Sequence, residues 1–432
     1  MSKVQSWGRL SDFDHNVIHF HTTDHICKEL GNYLPGVAYG MGRSYGDAAL
    51  NPQGNLWSSS GLNHLISFNQ LTAELHCEAG VTLQDIHRTL IPQGWMLPVS
   101  PGTQMITVGG AIANDVHGKN HHGFGSFGDH VISIKLLRTD GEIIECSHAE
   151  KSEWFYATLG GIGLTGIILE ARLRMRKVDS SWIQAQTIPY HNLEEFFELS
   201  AASEANWEHT VSWLDCKNSA SARGLFIRGN LAKIQGKSEP EYKDKTFPFT
   251  PPISLINKLS LSAFNFAYFY GNSMKKNPYK IHYEPFFYPL DRLHEWNRMY
   301  GNAGFYQYQS VVPSDIGKDA TQEMLRVIKK SGEGSFLAVL KTFGSRQSGG
   351  LLSFPRPGVT LALDFPNREE KTLKLFNELD HIVQEANGCL YLAKDARMPK
   401  KLFETGYPHI QKFLKYRDPG ISSSMSRRLL GV

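Results

Sequence analysis

The stretch PGTQMITVGGAIANDVHGKNHHGFGSFG, residues 101–128, contains seven glycines and three histidines but few charged residues. Its pattern is too irregular to predict a helix or a strand. Glycine lets the main chain approach a bulky ligand closely and adopt positive φ angles. We therefore expect the backbone of this segment to wrap around a cofactor.

The composition is that of a globular protein of two or three domains. Of the 432 residues, 41% are apolar and 20% are charged, and the net charge is +3. So small a charge argues against a nucleic-acid partner. The five cysteines show no C-x-x-C spacing, which argues against a disulfide framework and a structural zinc site and fits a reducing compartment.

The N-terminus shows no signal peptide, and no segment reads as membrane-spanning. The most apolar stretch, residues 253–270, is interrupted by Asn257, Lys258 and Asn265. We expect a protein that is cytoplasmic or peripherally bound to a membrane.

Hydrophobic periodicity predicts a mixture of strands and helices. Residues 169–176 alternate between apolar and charged, which predicts a strand with one buried face. Alternation on either side of Asp140-Gly141 predicts a hairpin, and Asn192 with Glu195 predicts a capped helix start. The run CLYLAKD, residues 389–395, reads as a strand.

Residues 237–283 are rich in lysine, proline, asparagine and aromatic residues and show little periodicity. We predict a long mobile insertion here. Its aromatic part, AFNFAYFYG, is compatible with a lid, with a contact to a lipidic surface, or with a loop packed on its own domain.

Two glycine clusters invite a dinucleotide-binding interpretation. Gly161-x-Gly163-x-x-Gly166 matches the fingerprint formally, but a helix-like segment precedes it and a strand follows it, so we reject a Rossmann site. The cluster GMGRSYGD, residues 40–47, is one residue too long for that fingerprint. It suits either a nest of amides around a phosphate or a simple tight turn.

The three histidines of residues 101–128 raise a metal hypothesis. His117 and His121 are four apart, a spacing that binds zinc only on a helix, and Gly118 and Gly123 disfavour one. We therefore expect no metal, and either a functional histidine beside a cofactor or a merely hydrogen-bonded one.

Lysines and glutamines stand in strand-like runs. Lys341 in FLAVLKTFG and Lys394 in CLYLAKDAR are costly to bury unless they are paired or serve a site, although a sheet-edge lysine is the alternative. Gln307 and Gln309 alternate onto one strand face, where they bind sugar hydroxyls or face solvent.

The chain resembles the FAD domain of the vanillyl-alcohol-oxidase (PCMH-type) flavoprotein superfamily. The resemblance rests, in chain order, on GMGRSYGD, residues 101–128 and ATLGGIGLTGII. FYQYQSVVP, SFLAVLKTFG and YLAKDAR extend the resemblance to nearly the whole chain, and it is weakest over residues 180–283. The resemblance implies an α+β, two-domain fold. An FAD domain would span residues 1–178, an antiparallel-sheet substrate domain 179–390, and a C-terminal return to the FAD domain 391–432.

The implied activity is FAD-dependent oxidation of a secondary sugar hydroxyl to a ketone. The expected substrate is the 2′-hydroxyl of a polyprenylphosphoryl-β-D-ribose, oxidised in the first half of an epimerisation to the arabinose form for cell-surface glycans. A soluble sugar, alditol or aldonolactone on the same fold is the alternative. The expected partners are the lipid-linked sugar phosphate and a separate NAD(P)H-dependent ketoreductase, with no nucleic acid.

The resemblance also implies roles for individual residues. Lys394 would act at the hydroxyl as a base or hydrogen-bonding group, and His117 would lie beside the flavin. The residues implied around FAD are Gly40, Met41, Gly42, Arg43, Ser44, Tyr45, Gly46, Gly102, Thr103, Val108, Gly109, Gly110, Ala113, Asn114, Gly118, Asn120, His121, Gly163 and Ile167. Those implied around the substrate are Tyr45, Gln307, Gln309, Lys341, Phe343, Thr360 and Ala362.

Three departures from the family pattern carry expectations of their own. Arg43 stands where many members tether FAD through a histidine, so we expect non-covalent FAD. Ala362 stands where a cysteine is expected, and Phe287 where a tyrosine is expected. These two changes affect the choice of substrate more than the chemistry.

Overall fold

The computed structural model describes residues 1–216, 222–233, 240 and 242–431. The strands before residue 178 are β1 (Ser2–Val4), β2 (Phe13–His19), β3 (Gly36–Tyr39), β4 (Asn55–Ser58), β5 (Leu65–Asn69), β6 (Glu74–Glu78), β7 (Trp95–Met96), β8 (Val131–Leu137), β9 (Ile143–Ser147), β10 (Ile167–Arg174) and β11 (Arg176–Lys177). The later strands are β12 (Trp182–Tyr190), β13 (His209–Leu214), β14 (Gly224–Leu231), β15 (Lys245–Thr246), β16 (Tyr279–His282), β17 (Leu293–His294), β18 (Phe305–Val312), β19 (Ala338–Phe343), β20 (Gly358–Pro366) and β21 (Cys389–Leu390).

Helices connect and cover these strands. The α-helices are α1 (Thr23–Glu29), α2 (Leu83–Leu90), α3 (Val108–Ala113), α4 (His121–Phe124), α5 (Ser152–Thr158), α6 (Leu193–Glu204), α7 (Lys258–Ser273), α8 (Tyr283–Phe287), α9 (Gly317–Ser331), α10 (Glu370–Glu385), α11 (Lys400–Gly406), α12 (Ile410–Phe413) and α13 (Ser424–Leu430). Short 3-10 helices cover Leu30–Tyr33, Ile91–Gln93, Phe127–His130 and Trp296–Tyr300. Among the described residues, no helix combines the length and apolarity needed to cross a bilayer.

Two sheets build the first part of the chain. One has the order β1-β2-β4-β3, with β2 and β3 both parallel to β4, and the other is antiparallel with the order β5-β6-β10-β8-β9. In β10, Leu169, Ala171 and Leu173 are buried while Arg172 and Arg174 are exposed. This confirms the strand predicted from alternation, as the antiparallel pairing of β8 with β9 confirms the predicted hairpin.

One large antiparallel sheet builds the second part, with the order β16-β12-β14-β13-β19-β20-β18-β21. Helices α6, α9 and α10 pack on this sheet. Asn192 caps α6 by accepting from the amide of Glu195 at 2.9 Å, as predicted. The combination of helices with antiparallel sheets confirms the α+β class, and the change of sheet falls between β11 and β12, beside residue 178.

The chain after β21 returns to the first part. Ile421 forms a bridge with Gly36, and the amide of Ser424 donates to the carbonyl of Leu50 at 2.7 Å. Arg428 of α13 donates to Asp47 at 2.8 Å and to Asp395 at 2.8 Å. The C-terminal helix is therefore tied both to the GMGRSYGD loop and to the turn that carries Lys394.

The expectation that residues 101–128 form no regular structure was wrong. Helix α3 forms because Val108, Ala111 and Ile112 share one buried face and the Thr107 hydroxyl accepts from the amide of Gly110 at 3.0 Å. Helix α4 forms as well, and it includes Gly123. Tertiary packing outweighs the low helix propensity of glycine at both places.

Two further expectations need correction. The strand predicted over residues 389–395 ends at Leu390, and Lys394 lies in a turn in which its amide donates to the carbonyl of Tyr391 at 2.9 Å. Residues 237–283 contain the 16-residue helix α7 despite their weak periodicity. Residues 237–239 and 241 of that segment lie outside the described residues.

Candidate functional site

A cavity of about 450 Å³ lies where the two parts of the chain meet. Its volume is in the range of small-molecule and cofactor sites. It is lined by residues from 38–49, 101–119, 162–168 and 287–296, from strands β18, β19 and β20, and from the turn after β21. Segments far apart in sequence thus face one space.

Main chain forms much of one wall. A side chain at Gly40 would place its Cβ 2.7 Å from Thr107 Oγ1, and Gly42 has a φ of +62° close to the Tyr39 hydroxyl, so both positions need glycine. Gly102 and Gly163 also line the cavity, and an added Cβ at either would meet no protein atom within 4 Å. A bound group can therefore come directly against the backbone at these two positions.

One polar atom in this wall lacks a partner. Oδ1 of Asn114 is buried and accepts no hydrogen bond, whereas its Nδ2 donates to the carbonyl of Gly110 at 2.9 Å. A buried acceptor without a donor is costly, so it marks a place where a ligand donor would fit. Backbone walls, open space at two glycines and this free acceptor all fit a large, flat polar group such as a flavin.

His117 lines the cavity beside Gln309 of β18 and Lys341 of β19. Its Nδ1 is 3.1 Å from Lys341 Nζ and its Nε2 is 3.2 Å from the side-chain amide nitrogen of Gln309. Burial and the neighbouring Lys341 hold the pKa of His117 well below its usual range, so the ring is neutral. When the Lys341 ammonium donates to Nδ1, Nε2 carries the imidazole proton. The amide oxygen of Gln309 is then its proper acceptor, which requires the opposite amide orientation.

Lys341 and Lys119 both face the cavity beside His117. Lys341 Nζ donates to the carbonyl of Gly118 at 2.6 Å, and Lys119 Nζ donates to the carbonyl of Phe287 at 3.0 Å. Burial lowers the pKa of Lys341 to about 7, with a further lowering from Lys119. Burial likewise lowers the pKa of Lys119 to about 8, against the opposing effect of Asp291.

Lys394 reaches the cavity from the turn after β21. Its Nζ lies 3.8 Å from the centroid of the Tyr45 ring. Burial lowers its pKa, and the nearby carboxylate of Asp364 opposes that shift. Asp364 is itself fully buried, accepts from Gln307 Nε2 at 2.5 Å and leaves its Oδ2 without a partner, and burial raises its pKa.

Arg43 lies in the GMGRSYGD loop, at the position where the family resemblance implies a tethering histidine. Its guanidinium carbon lies 4.0 Å from the centroid of the Trp7 ring, and its Nε donates to the carbonyl of Met105 at 3.4 Å. An arginine held in this way offers no imidazole nitrogen for a bond to flavin.

Most residues implied by the resemblance do line the cavity. The lining residues among them are Gly40, Met41, Gly42, Arg43, Ser44, Tyr45, Gly102, Thr103, Gly109, Gly110, Ala113, Asn114, His117, Gly118, Gly163, Ile167, Gln307, Gln309, Lys341, Thr360, Ala362 and Lys394. They come from both parts of the chain.

Five implied residues lie behind the lining. Gly46 packs so tightly on Asp395 that an added Cβ would overlap its carbonyl oxygen. Val108 is fully buried in the core of the first part, and Asn120 uses its Nδ2 to donate to the carbonyl of Pro98 at 2.8 Å. His121 packs against Phe343 with ring centroids 4.4 Å apart, and Phe343 in turn meets the His117 ring at 4.9 Å. These residues support the wall without forming it.

The histidines are not arranged around a common point. His122 uses Nε2 with the carbonyl of Trp207, 2.8 Å away. Within the described ranges, no cluster of three or more histidine, cysteine, aspartate or glutamate side chains could hold a metal ion.

Sequence reasoning missed Lys119 and Asp364. Lys119 is the one lysine of residues 101–128, so its place in a glycine-rich stretch was the available signal. Asp364 interrupts an apolar strand, β20, just as Lys341 interrupts β19. The same criterion that selected the lysines would have selected this carboxylate.

A family model described as an FAD binding domain matches residues 24–147. The chain is 36% identical over 453 residues to the decaprenylphosphoryl-beta-D-ribose oxidase of Mycolicibacterium smegmatis, which covers 99% of this chain and 97% of that protein. Mouse L-gulonolactone oxidase is 29% identical over 115 residues, 26% of each chain. Human delta(24)-sterol reductase is 32% identical over 95 residues, 22% of this chain and 18% of its own.

The shorter similarities reach only part of the chain, whereas the first spans both parts and every element that lines the cavity. The FAD-binding match includes the GMGRSYGD loop and residues 101–128. The chain therefore belongs to the decaprenylphosphoryl-β-D-ribose oxidase family of FAD-dependent oxidoreductases.

Proposed function

We propose that this enzyme oxidises the 2′-hydroxyl of a polyprenylphosphoryl-β-D-ribose to a ketone. Oxidation at that carbon removes its stereochemistry, so reduction from the opposite face completes an epimerisation to the arabinose form. A separate NAD(P)H-dependent ketoreductase supplies that second step. The observation that carries the proposal is the 36% identity over 99% of the chain to a relative named for this substrate.

Lys394 is the group that handles the hydroxyl proton in this proposal. A lysine accepts a proton only as a neutral amine, and a solvated lysine with a pKa of ~10.4 is almost fully charged at neutral pH. Burial lowers the pKa of Lys394 and brings the neutral form closer to working pH. The Tyr45 ring limits the directions in which Nζ can point, because the two are 3.8 Å apart.

The remaining polar residues of the cavity would bind the substrate and orient its sugar. Gln309, neutral His117 and Lys341 form a hydrogen-bonded row suited to sugar hydroxyls. Lys119 and Lys341 would meet the phosphodiester, since Lys119 lowers the pKa of Lys341 and an anion beside both would stabilise their charged forms.

The residues that would hold FAD are the backbone of the GMGRSYGD loop and of residues 102–118, together with Gly163 and Asn114. When bound, FAD supplies the two-electron oxidant that accepts a hydride from the carbinol carbon. With arginine at position 43, we propose that the cofactor is held without a covalent bond. Acid precipitation should release the yellow chromophore into the supernatant, and a yellow pellet would refute this.

The lipid tail of such a substrate resides in a membrane. We therefore propose peripheral association with a membrane, where the enzyme meets its substrate and its ketoreductase partner.

Anaerobic flavin reduction tests the proposed reaction. The flavin should bleach with a polyprenylphosphoryl ribose and stay oxidised with free ribose, with the arabinose epimer's free sugar and with L-gulono-1,4-lactone. Quenching the product with borodeuteride should give ribose and arabinose that carry deuterium at C2. Bleaching by the lactone or by free sugars, with none by the lipid-linked ribose, would favour the soluble-substrate alternative.

A further inference from the structure

The outward face of helix α7 is apolar. Leu259, Phe266 and Tyr270 are 83%, 60% and 45% exposed, and Met274, the residue that follows the helix, is 78% exposed. Their spacing places them, with Ala263, within one narrow stripe of a helix of 3.6 residues per turn. A helix that faces water usually carries charged residues on this side, so the stripe needs an explanation.

The orientation of α7 is fixed by its inner face. Leu261, Asn265 and Phe269 recur at every fourth position and are buried. Asn265 Nδ2 donates to Asp215 Oδ1 at 2.7 Å, and the Phe269 ring lies 4.7 Å from the guanidinium of Arg223. The outer stripe is therefore exposed because a different, well-packed face already contacts the protein.

The chain segment that contains this stripe carries charges of one sign. Between residues 245 and 283 the chain has no aspartate or glutamate, and its lysines are Lys245, Lys258, Lys275, Lys276 and Lys280. Lys275 and Lys276 follow the end of α7 and are exposed, whereas Lys258, at its start, lies on the side of the inner face, three positions before Leu261. The preceding segment adds exposed Phe249, Ile253 and Leu255. An exposed apolar stripe that ends in exposed lysines is the pattern of a helix that lies in a membrane interface, with those lysines at the headgroups.

We infer that the outer face of α7 and residues 249–255, here called the α7 surface, docks on a bilayer that contains anionic lipid. A second copy of this chain is the less suitable occupant, because a symmetric contact would set the same lysines against each other. The inference deepens the proposed function, on which its biological meaning rests, because a lipid-linked substrate is delivered at a bilayer.

The α7 surface is also connected to the cavity. Leu261 on the inner face belongs to one apolar cluster with Trp296 and Tyr300, and Tyr45 packs against that cluster. Trp296 and Tyr45 line the cavity. Docking through α7 would thus place the bilayer on the side of the molecule where the inner face of α7 packs, through this cluster, against the cavity wall.

Vesicle flotation with the full-length, flavin-loaded protein tests the inference. We expect binding to phosphatidylcholine vesicles with ~30 mol% phosphatidylglycerol, and weaker binding to pure phosphatidylcholine or at high salt. The double variant Phe266→Ser/Met274→Ser should lower the vesicle partition coefficient by about 30-fold or more. Lys275→Glu/Lys276→Glu should lower it on anionic vesicles only.

Leu71→Ser is the matched control, because Leu71 is 98% exposed but lies outside the α7 surface. It should bind vesicles as the unmodified protein does. All variants replace exposed side chains, so flavin content and thermal unfolding should be unchanged.

Equal flotation of the Phe266→Ser/Met274→Ser variant and the unmodified protein would overturn the inference. A dimer in light scattering that this variant converts to monomer, without vesicle binding, would assign the face to a second copy and overturn it too. Flotation without flavin reduction by the lipid-linked ribose would leave the docking surface standing and reject the proposed substrate.

Discussion

The ammonium of Lys394 lies 3.8 Å from the centroid of the Tyr45 ring, which joins the last turn before the C-terminal helices to the GMGRSYGD loop. Replacing this lysine tests its proposed chemistry. Lys394→Ala should retain bound flavin with an oxidised spectrum, while anaerobic reduction by substrate slows at least ~10²-fold, the usual contribution of a general base. Lys415→Ala, at an exposed lysine, is the control. Normal bleaching of Lys394→Ala would remove Lys394 from the reaction.

Asp364 should set the pH dependence of flavin reduction. Its carboxylate stabilises the ammonium of Lys394, so Asp364→Asn should lower the pKa of Lys394 further. Because the neutral amine is the reactive form, the rising limb of the rate–pH profile should move to lower pH by about one unit. Single-turnover reduction across a pH series measures this limb. A limb that stays in place or moves upward would contradict the role.

Buried Lys341 should make stability rise with pH. Its folded pKa is about 7, whereas an unfolded lysine titrates near ~10.4, so between these values only the unfolded chain binds the proton. Stability then increases by up to about 1.4 kcal/mol per pH unit in that window. Urea unfolding of Lys341→Met should show a smaller increase from ~pH 7.5 to ~pH 9. An unchanged slope would show that Lys341 keeps an ordinary pKa, and Lys415→Met controls for loss of a surface charge.

Ala362 should be reachable from the cavity, whereas the native cysteines are not. Ala362 pairs with Gln309 across β18 and β20 and lines the cavity. Cys27 is the exposed native cysteine, and burial raises the pKa values of Cys77 and Cys146 to about 12. A small maleimide should add once to the unmodified protein, at Cys27, and twice to Ala362→Cys. Intact mass and peptide mapping report the result, and a single adduct on native Ala362→Cys would contradict the lining position.

Arg428 should stabilise the junction between α13 and the site. It bonds two carboxylates at once, those of Asp47 and Asp395, and is only one quarter exposed. Arg428→Ala leaves both carboxylates partly buried without their cation, which should cost about 1–3 kcal/mol of unfolding free energy after allowance for this exposure. Chemical denaturation measures the loss. A change no larger than that of Lys415→Ala would show that the pair contributes little.

Local patterns predicted the elements whose packing is local. The alternation before Arg174, the Asp140-Gly141 turn and the Asn192 cap each follow from neighbours within a few residues, and each is present. Helices α3 and α7 escaped prediction because their buried faces depend on partners elsewhere in the chain. Glycines in α3 are tolerated by close approach to Ala79, whose carbonyl accepts from the amide of Gly109 at 2.8 Å.

The candidate site likewise has features that the sequence predicted and features that depend on packing between distant segments. The resemblance supplied candidate residues, and most of them line one cavity. It did not supply relationships such as the 3.1 Å between Lys341 and His117, which are 224 positions apart. Nor did it reveal that Lys119 would lower the pKa of Lys341 or that Asp364 would raise the pKa of Lys394. Such couplings arise only when β19, β20 and residues 101–128 are packed together.

The contact of Arg428 with Asp47 and Asp395 has a consequence for the order of biosynthesis. Every residue that lines the cavity is synthesised before α13, yet the loop and the turn that α13 joins wait for this helix. While the ribosome still encloses residues 424–430, the nascent chain already carries all of its lining residues but lacks the Arg428 contacts that join the GMGRSYGD loop to the turn of Lys394. Tight binding of FAD should therefore begin only after residues 424–430 have emerged from the ribosome. Newly made enzyme should become active only after α13 has been translated.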